Sequence, residues 1–182
     1  MGKIVSIVHT PPGIDPRPPD RYARVPLAAA TVEAGRGIVN DRKGGNPERQ
    51  LNIMALETLE QLRAAGRRTA PGEMGEQIVV SGIGIDRLAP GTRLRLGDEA
   101  IIEVVKPRTG CDRLRQIQGC TSADVAGRLG VMARVLTGGT IRIGDAVSLF
   151  RFPGERPPLD GRISREEENR QAVKEDADAP AQ

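Results

Sequence analysis

The chain has 182 residues, 27 Lys+Arg against 24 Asp+Glu, and 38% apolar residues, enough for one modest core with or without a tail. Its 22 Gly and 14 Pro make it turn-rich and argue against a long helical bundle. With no Trp, one Tyr and two Phe, the core must come from Val, Ile, Leu, Ala and Met, and base stacking on aromatic platforms is all but excluded.

In chain order, the first apolar run, Ile4–Val8, is too short for a signal h-region and ends at His9-Thr10-Pro11-Pro12, so it reads as a first strand. Further β-like runs follow at Ala29–Ala34, Gln50–Ala55, Gln77–Ser81, Arg93–Leu96, Ala100–Val105, Val131–Leu136 and Thr140–Phe150. Glycine-bearing turn signals separate them, and that spacing predicts an all-β barrel. Leu96-Gly97-Asp98-Glu99 should join two strands, and Thr137-Gly138-Gly139-Thr140 reads as a tight hairpin. One helix interrupts the series: Leu56, Leu59 and Leu62, with Ala55 and Ala65, recur at helical spacing, Glu57 and Glu60 come early, Arg63 late, and Gly66 stops it. It is expected to plug or cover one end of the barrel. A second short helix is predicted over Ser122–Leu129, with Ser122 as N-cap and Gly130 as the stop.

After Phe152 the composition shifts. Arg151 to Gln182 carries six basic and eight acidic side chains and few large apolar ones, so it cannot bury enough surface to offset its ordering entropy. A barrel domain over 1–150 and a charged, flexible tail over 151–182 are expected, with at most a short helix near Ser164 to Lys174 capped by Ser164.

One His and two Cys limit the chemistry. His9, Cys111 and Cys120 lack the spacing of a zinc site, and free thiols in a reducing cytoplasm are the expectation. His9, before two prolines, reads as a capped or exposed imidazole. No segment is long enough to span a bilayer. Glu73 and Glu76 resemble a paired-carboxylate site only superficially, since no sugar-stacking aromatics accompany them. The basic pI near 9.2 comes without a run of five basic residues, so it points to an anionic ligand rather than nucleic acid.

Several stretches occur in the order of one family: Gly37-Ile38-Val39-Asn40-Asp41-Arg42-Lys43-Gly44-Gly45, Arg49-Gln50-Leu51-Asn52-Ile53, Pro71-Gly72-Glu73-Met74-Gly75-Glu76-Gln77, Pro107-Arg108-Thr109-Gly110-Cys111, and Gly130-Val131-Met132-Ala133-Arg134-Val135 with Gly138-Gly139 and Gly144-Asp145. Together they resemble a MOSC domain, the module similar to the C-terminal domain of molybdenum cofactor sulfurases and to the core of amidoxime-reducing molybdenum proteins. The resemblance covers about Lys3 to Phe150 and implies a mostly β fold, a MOSC-like β-barrel with one or two short helices. Lys43 stands where the family commonly has His, Asn40 where it has Gly, and Gly75-Glu76-Gln77 where it has Gly-Glu-Asn.

Cys111 is the leading candidate for chemistry. It follows Lys106-Pro107-Arg108 and precedes Asp112-Arg113, and cationic neighbours favour the thiolate, which is both nucleophile and metal ligand. A Cys packed as a small hydrophobe is the plain alternative. The resemblance implies that Cys111 is a molybdenum ligand or sulfur carrier, a role suited to a soft donor. Cys120 matches no family position and reads as a buried or idle thiol, with a resolving partner for Cys111 as the sharper alternative. Arg42, Lys43 and Arg49 around Gly44-Gly45 would cradle an anion such as a pterin phosphate, with Arg108 closing the site, unless the glycines serve turn geometry alone. Arg49 and Asn52, three apart at a strand start, should lie on opposite faces, and Arg49 is favoured for the pocket. Glu76 or Gln77 would bond the pterin edge.

The expected function is binding of a molybdenum-pterin cofactor, or carriage of sulfur to or from one. The pyridoxal phosphate domain of the larger sulfurases is absent from this chain, so a persulfide would come from a partner cysteine desulfurase. A reductase of N-hydroxylated compounds would need an electron-transfer partner. The rival from another class is a non-catalytic module for an anionic metabolite or partner protein, favoured by Lys43 and Gln77.

Overall fold

The computed structural model describes residues 1–15 and 17–154. The expectation of a flexible tail over 151–182, with its short helix, lies outside the described residues beyond Gly154. The strands are β1 (Gly2–His9), β2 (Val25–Leu27), β3 (Ala29–Glu33), β4 (Gly37–Ile38), β5 (Leu51–Ala55), β6 (Ile78–Ser81), β7 (Arg93–Leu96), β8 (Ala100–Pro107), β9 (Val131–Thr137), β10 (Gly139–Arg142) and β11 (Ala146–Phe150). The helices are α1 (Leu56–Ala64) and α2 (Asp112–Gln118). Among the described residues no helix is long and apolar enough to cross a membrane.

Seven strands close a barrel in the order β1-β6-β5-β9-β8-β7-β11, with β11 returning to β1 through Gly2↔Val147 and Lys3↔Ala146. Strand β2 extends the sheet beside β1, and β10, β3 and β4 form a separate three-stranded sheet. Strands β5 and β6 run parallel, Ile53 opposite Ile78. A parallel pair needs a crossover, and α1 lies within it.

The period-2 alternation of the strands sorts their residues between two cores. Leu51, Ile53 and Ala55 of β5 and Ile78 and Val80 of β6 point into the barrel with Ile4, Leu94, Ile102, Val131 and Val147. The intervening Met54 and Val79 point outward, where they pack with Leu59 and Leu62 of α1, Leu114 of α2, Met74, Cys120, Val125 and Leu129. Helix α1 therefore covers the outer wall at β5 and β6, not an end of the barrel as the sequence suggested. Each fully buried Leu or Ile contributes roughly 2 kcal/mol through removal from water.

Three local expectations are corrected. The residues 122–129 hold only a 3-10 turn, Ala123–Val125. The Asp124 carboxylate accepts the Thr121 N–H at 2.7 Å and the Thr121 hydroxyl accepts the Asp124 N–H at 3.3 Å, and such side-chain bonds compete with helix propagation. The second helix is instead α2, closed by Gly119 at φ 59°. The expected strand 140–150 is two strands, broken at Gly144-Asp145, where the Asp145 carboxylate accepts the Arg142 N–H at 2.7 Å. The Gly138-Gly139 step is no hairpin: β10 leaves β9 and pairs with β3, Ile141 opposite Ala30. The Leu96–Glu99 turn does join two antiparallel strands, β7 and β8.

Gly130 enters β9 at φ +72°, and a Cβ placed there would lie 1.9 Å from the Ile53 carbonyl oxygen. The backbone of β5 cannot yield to it without disturbing the barrel. Gly130→Ala is expected to lower the unfolding free energy by about 2–4 kcal/mol, combining left-handed strain with a backbone clash, as read from the midpoint of a urea titration.

Candidate functional site

The residues singled out by sequence gather on the outer side of the barrel, at the starts of β5 and β6. The loop 39–50, the loop 71–77, the Cys111 end of α2 and the long β1–β2 connection over residues 10–24 all reach this place. That connection behaves as a strap. The Thr10 hydroxyl donates to the Ala23 carbonyl, Arg68 donates to the Asp20 carbonyl at 2.7 Å, and Arg113 of α2 donates to the carbonyls of Pro18 and, at 2.9 Å, Arg21.

The floor of the site is a buried set of charges. Asp41 accepts hydrogen bonds from the Lys43 N–H at 3.0 Å and from the Gln77 side-chain amide at 2.7 Å, and lies 3.6 Å from the Arg24 guanidinium. The side chains of Arg24 and Asp41 are 2% and 0% exposed, so this is a true interior ion pair whose partners depend on each other. Arg24 also donates to the Gly75 carbonyl at 3.0 Å. The Glu76 carboxylate accepts the backbone N–H groups of Gly72 and Met74, and Arg108 donates to the carbonyls of Met74 and Leu129, both at 2.9 Å. Burial pushes the Glu76 carboxyl up, opposed by the Gly72 N–H and by Arg108 and Arg24. Burial pulls Arg24 and Arg108 down, opposed chiefly by Asp41 for the first and by Glu76 for the second.

These bonds redefine three of the sequence-selected residues. Glu76 is committed to its own loop. Gln77 uses its amide N–H groups on Asp41 and on the Gln50 carbonyl and its oxygen on the Asn52 N–H, so it props the floor and leaves little for a pterin edge. Arg108 spends donors on two carbonyls, and its charge rather than its fork reaches the site. Arg49 precedes β5 and lines the cleft, while Asn52 is buried on the outward face of β5 with its Nδ2 on the Gly75 carbonyl at 3.3 Å.

Above this floor opens a cleft of about 370 Å³ lined by Thr10, Arg17, Arg42, Lys43 and Arg49. Arg42, Lys43 and Arg49 thus come together as sequence suggested, joined by Arg17 from the strap. Lys43 is exposed as a residue, yet its ammonium lies 5.4 Å above the Tyr22 ring. Burial, followed by Arg24, Arg49 and Arg108, holds it down at about 8, with Asp41 pulling the other way.

Cys111 is exposed and free, in extended backbone conformation at the head of α2. It lies near enough to Tyr22 to act on its phenol: burial first, then the Cys111 sulfur, pushes that group above its usual range, against the pull of Arg108 and Arg113. Tyr22 therefore stays protonated and can donate. Its ring carries Lys43 on one contact and the Arg113 guanidinium, 6.0 Å from the centroid, on another. At Gly75, φ +81°, a Cβ would stand 3.0 Å from the Tyr22 ring, so the glycine lets the 71–77 loop press against the tyrosine. Cys120 is buried against the apolar outer core and is also free.

Sequence reasoning missed Tyr22, Arg24 and Arg17. Tyr22 carried a signal, as the one tyrosine in a chain nearly devoid of aromatics. Arg24 and Arg17 carried none, because their role arises from how the strap folds over the barrel. His9 differs from expectation: its Nδ1 is buried and, among the described residues, has no hydrogen-bond partner, as is true of Arg24 Nε and Asn52 Oδ1. Among the described residues no group of three or more His, Cys, Asp or Glu is placed to hold a metal.

Asp41→Ala would strand the buried Arg24 and leave the Gln77 amide and the Lys43 N–H short of a partner. We expect a loss of about 3–5 kcal/mol in unfolding free energy. Arg42→Ala, at the exposed neighbouring position, should change it by less than about 0.5 kcal/mol, with both read by urea titration.

No curated protein sequence matches the chain significantly. Among solved structures it is similar to the YuaD protein from Bacillus subtilis, with 16% identity over 81% of this chain and 94% of that one, at a TM-score of 0.64. It is similar to YiiM from Geobacillus stearothermophilus, with 23% identity, 100% and 93% coverage and a TM-score of 0.64. YiiM from Escherichia coli gives 18% identity, 82% and 70% coverage and a TM-score of 0.60. These likenesses concern the fold. The MOSC domain family matches residues 40–148, more than half of the chain, and on that match the protein belongs to the MOSC domain family.

Proposed function

We propose that this protein holds a molybdenum-pterin cofactor, with the phosphate in the cleft of Arg42, Lys43 and Arg49 and Cys111 as the protein's sulfur ligand. The observation that carries the reading is the coincidence of an exposed free cysteine with a cleft of unneutralised cations, joined through Tyr22. The family is associated with molybdenum cofactor, and the residues present fit the group. The cations suit a phosphate, a thiolate suits molybdenum, and the buried Asn52 Oδ1 and Arg24 Nε have no partner among the described residues.

When bound, the cofactor supplies two-electron redox chemistry at the metal. The chain's own residues bind and orient it. Asp41 fixes the loop that bears Arg42 and Lys43, and Glu76 with Arg108 fixes the 71–77 loop beneath. Tyr22 offers its hydroxyl to the Cys111 sulfur and its ring to Lys43. The same thiol would serve as a sulfur carrier if a partner cysteine desulfurase delivers a persulfide, and a reductase role would draw electrons from a partner protein. The cytoplasm, with its reduced thiols, suits either role.

Protein made in a host competent for the cofactor is expected to contain molybdenum by elemental analysis and pterin by fluorescence. Cys111→Ser should lower molybdenum occupancy about tenfold or more while leaving the melting temperature unchanged. Absence of both metal and pterin would defeat the cofactor reading. A non-catalytic module for anionic metabolites is the second reading, favoured by the commitment of Glu76 and Gln77 to the floor, and it predicts anion binding that Cys111→Ser does not touch.

Lys43 gives a pH test. Its charge is present below about 8 and lost as pH rises through that value, so affinity for sulfate, whose own charge is constant, should fall several-fold across that range at fixed ionic strength. Lys43→Met should bind more weakly at neutral pH and flatten the profile, as read by isothermal titration calorimetry.

A further inference from the structure

The cleft carries more positive charge than one phosphate needs. Arg17, Arg42, Lys43 and Arg49 all line it, and among the described residues none of the four side chains has an ion pair or donates a hydrogen bond within the protein. In the floor below, Arg24 is paired with Asp41, and Glu76 acts on Arg108 without an ion pair. Among the described residues the cations without a paired carboxylate are concentrated in the cleft and at Arg108 beneath it. A phosphate monoester carries about −1.5 to −2 at neutral pH, roughly half of what four cations call for. The cations also stand on two separate pieces of chain. Arg42, Lys43 and Arg49 come from the β4–β5 loop, and Arg17 comes from the strap, where its backbone N–H bonds the Asp15 carboxylate at 2.9 Å. A cleft of about 370 Å³ has room for more than a single phosphate group.

Resting on the proposed cofactor reading but extending it, we infer that the cleft accepts two phosphate-class anionic groups at once, one on the Arg42–Lys43–Arg49 bank and a second at Arg17 of the strap. The shared chemistry has two sources: one ligand bearing two phosphates, or a cofactor phosphate together with a separate anionic substrate. In the second case Arg17 selects substrates that carry a phosphate or a comparable anion.

The test compares inorganic phosphate with inorganic pyrophosphate on the full chain by calorimetry at fixed ionic strength. Pyrophosphate, which reaches both banks, is expected to bind at least about tenfold more tightly. Arg17→Ala should reduce that ratio to near one while leaving phosphate affinity within about twofold, and Arg49→Ala should weaken both ligands. A circular dichroism melt checks that each variant is folded. Equal affinity of the two ligands for the unmodified protein, or equal weakening of both by Arg17→Ala, would overturn the two-anion inference and leave the single-phosphate reading standing. Binding of neither ligand would overturn both. The stoichiometry of the phosphate titration assigns the source: two phosphate ions per chain mean that two separate ligands are held at once, and one means that the second position is filled only by a group tethered to the first.

Discussion

The Arg24–Asp41 pair is the constraint on which the site depends. Neither side chain reaches solvent, and a charge so placed is tolerated only while its partner and its hydrogen bonds stay in position. Arg24 comes from the strap and Asp41 from the β4–β5 loop, so their pairing ties two irregular segments to one point on the barrel wall. Gln77 carries the constraint onward, since its amide reaches Asp41 while its oxygen takes the Asn52 N–H at the start of β5. Loops with little regular hydrogen bonding thereby acquire the fixed geometry that a binding site requires.

Charge is segregated by depth. The lower layer pairs Arg24 with Asp41, while Glu76 and Arg108 bond mainly to backbone groups, most of them in the 71–77 loop. The upper layer is cationic only. Burial, with repulsion from Arg24 and Arg108 below and Arg49 beside it, is what holds Lys43 at about 8. The upper layer lines the cleft, and the ion pair and backbone bonds of the lower one give it rigidity. Tyr22 stands at the boundary, its ring against Gly75 and its hydroxyl toward Cys111.

The barrel was legible because its strands obey simple rules. Runs such as Gln77–Ser81 and Ala100–Val105 are short, rich in Val and Ile, and bounded by glycine turns, and each became a strand. Helix α1 announced itself through Leu59 and Leu62, but which face of the barrel it would cover depended on Met54 and Val79 pointing outward. Helix α2 was missed because Leu114 and Ile117 offer only two apolar positions among polar neighbours, whereas Ser122–Leu129 looked capped and was diverted by the Thr121–Asp124 side-chain bonds. At the site, the loop residues Arg42, Lys43, Arg49 and Cys111 were visible through local motifs. The division of labour between ligand-facing and floor residues was not, because Glu76 and Gln77 look like binding groups until their partners are seen. Arg17 and Arg24 depend on a contact across the fold that no local pattern encodes.

The barrel closes by pairing Gly2 and Lys3 with Val147 and Ala146, so the stretch ahead of residue 40 is part of the same closed wall although the family match begins there. A fragment trimmed to the matched boundaries would lack one stave and present two raw sheet margins to solvent, an invitation to intermolecular strand addition. It would also leave Asp41 enclosed without its counter-ion. The matched segment is thus a recognisable signature rather than an autonomous folding unit, and the 39 residues ahead of it are the keystone that lets it stand.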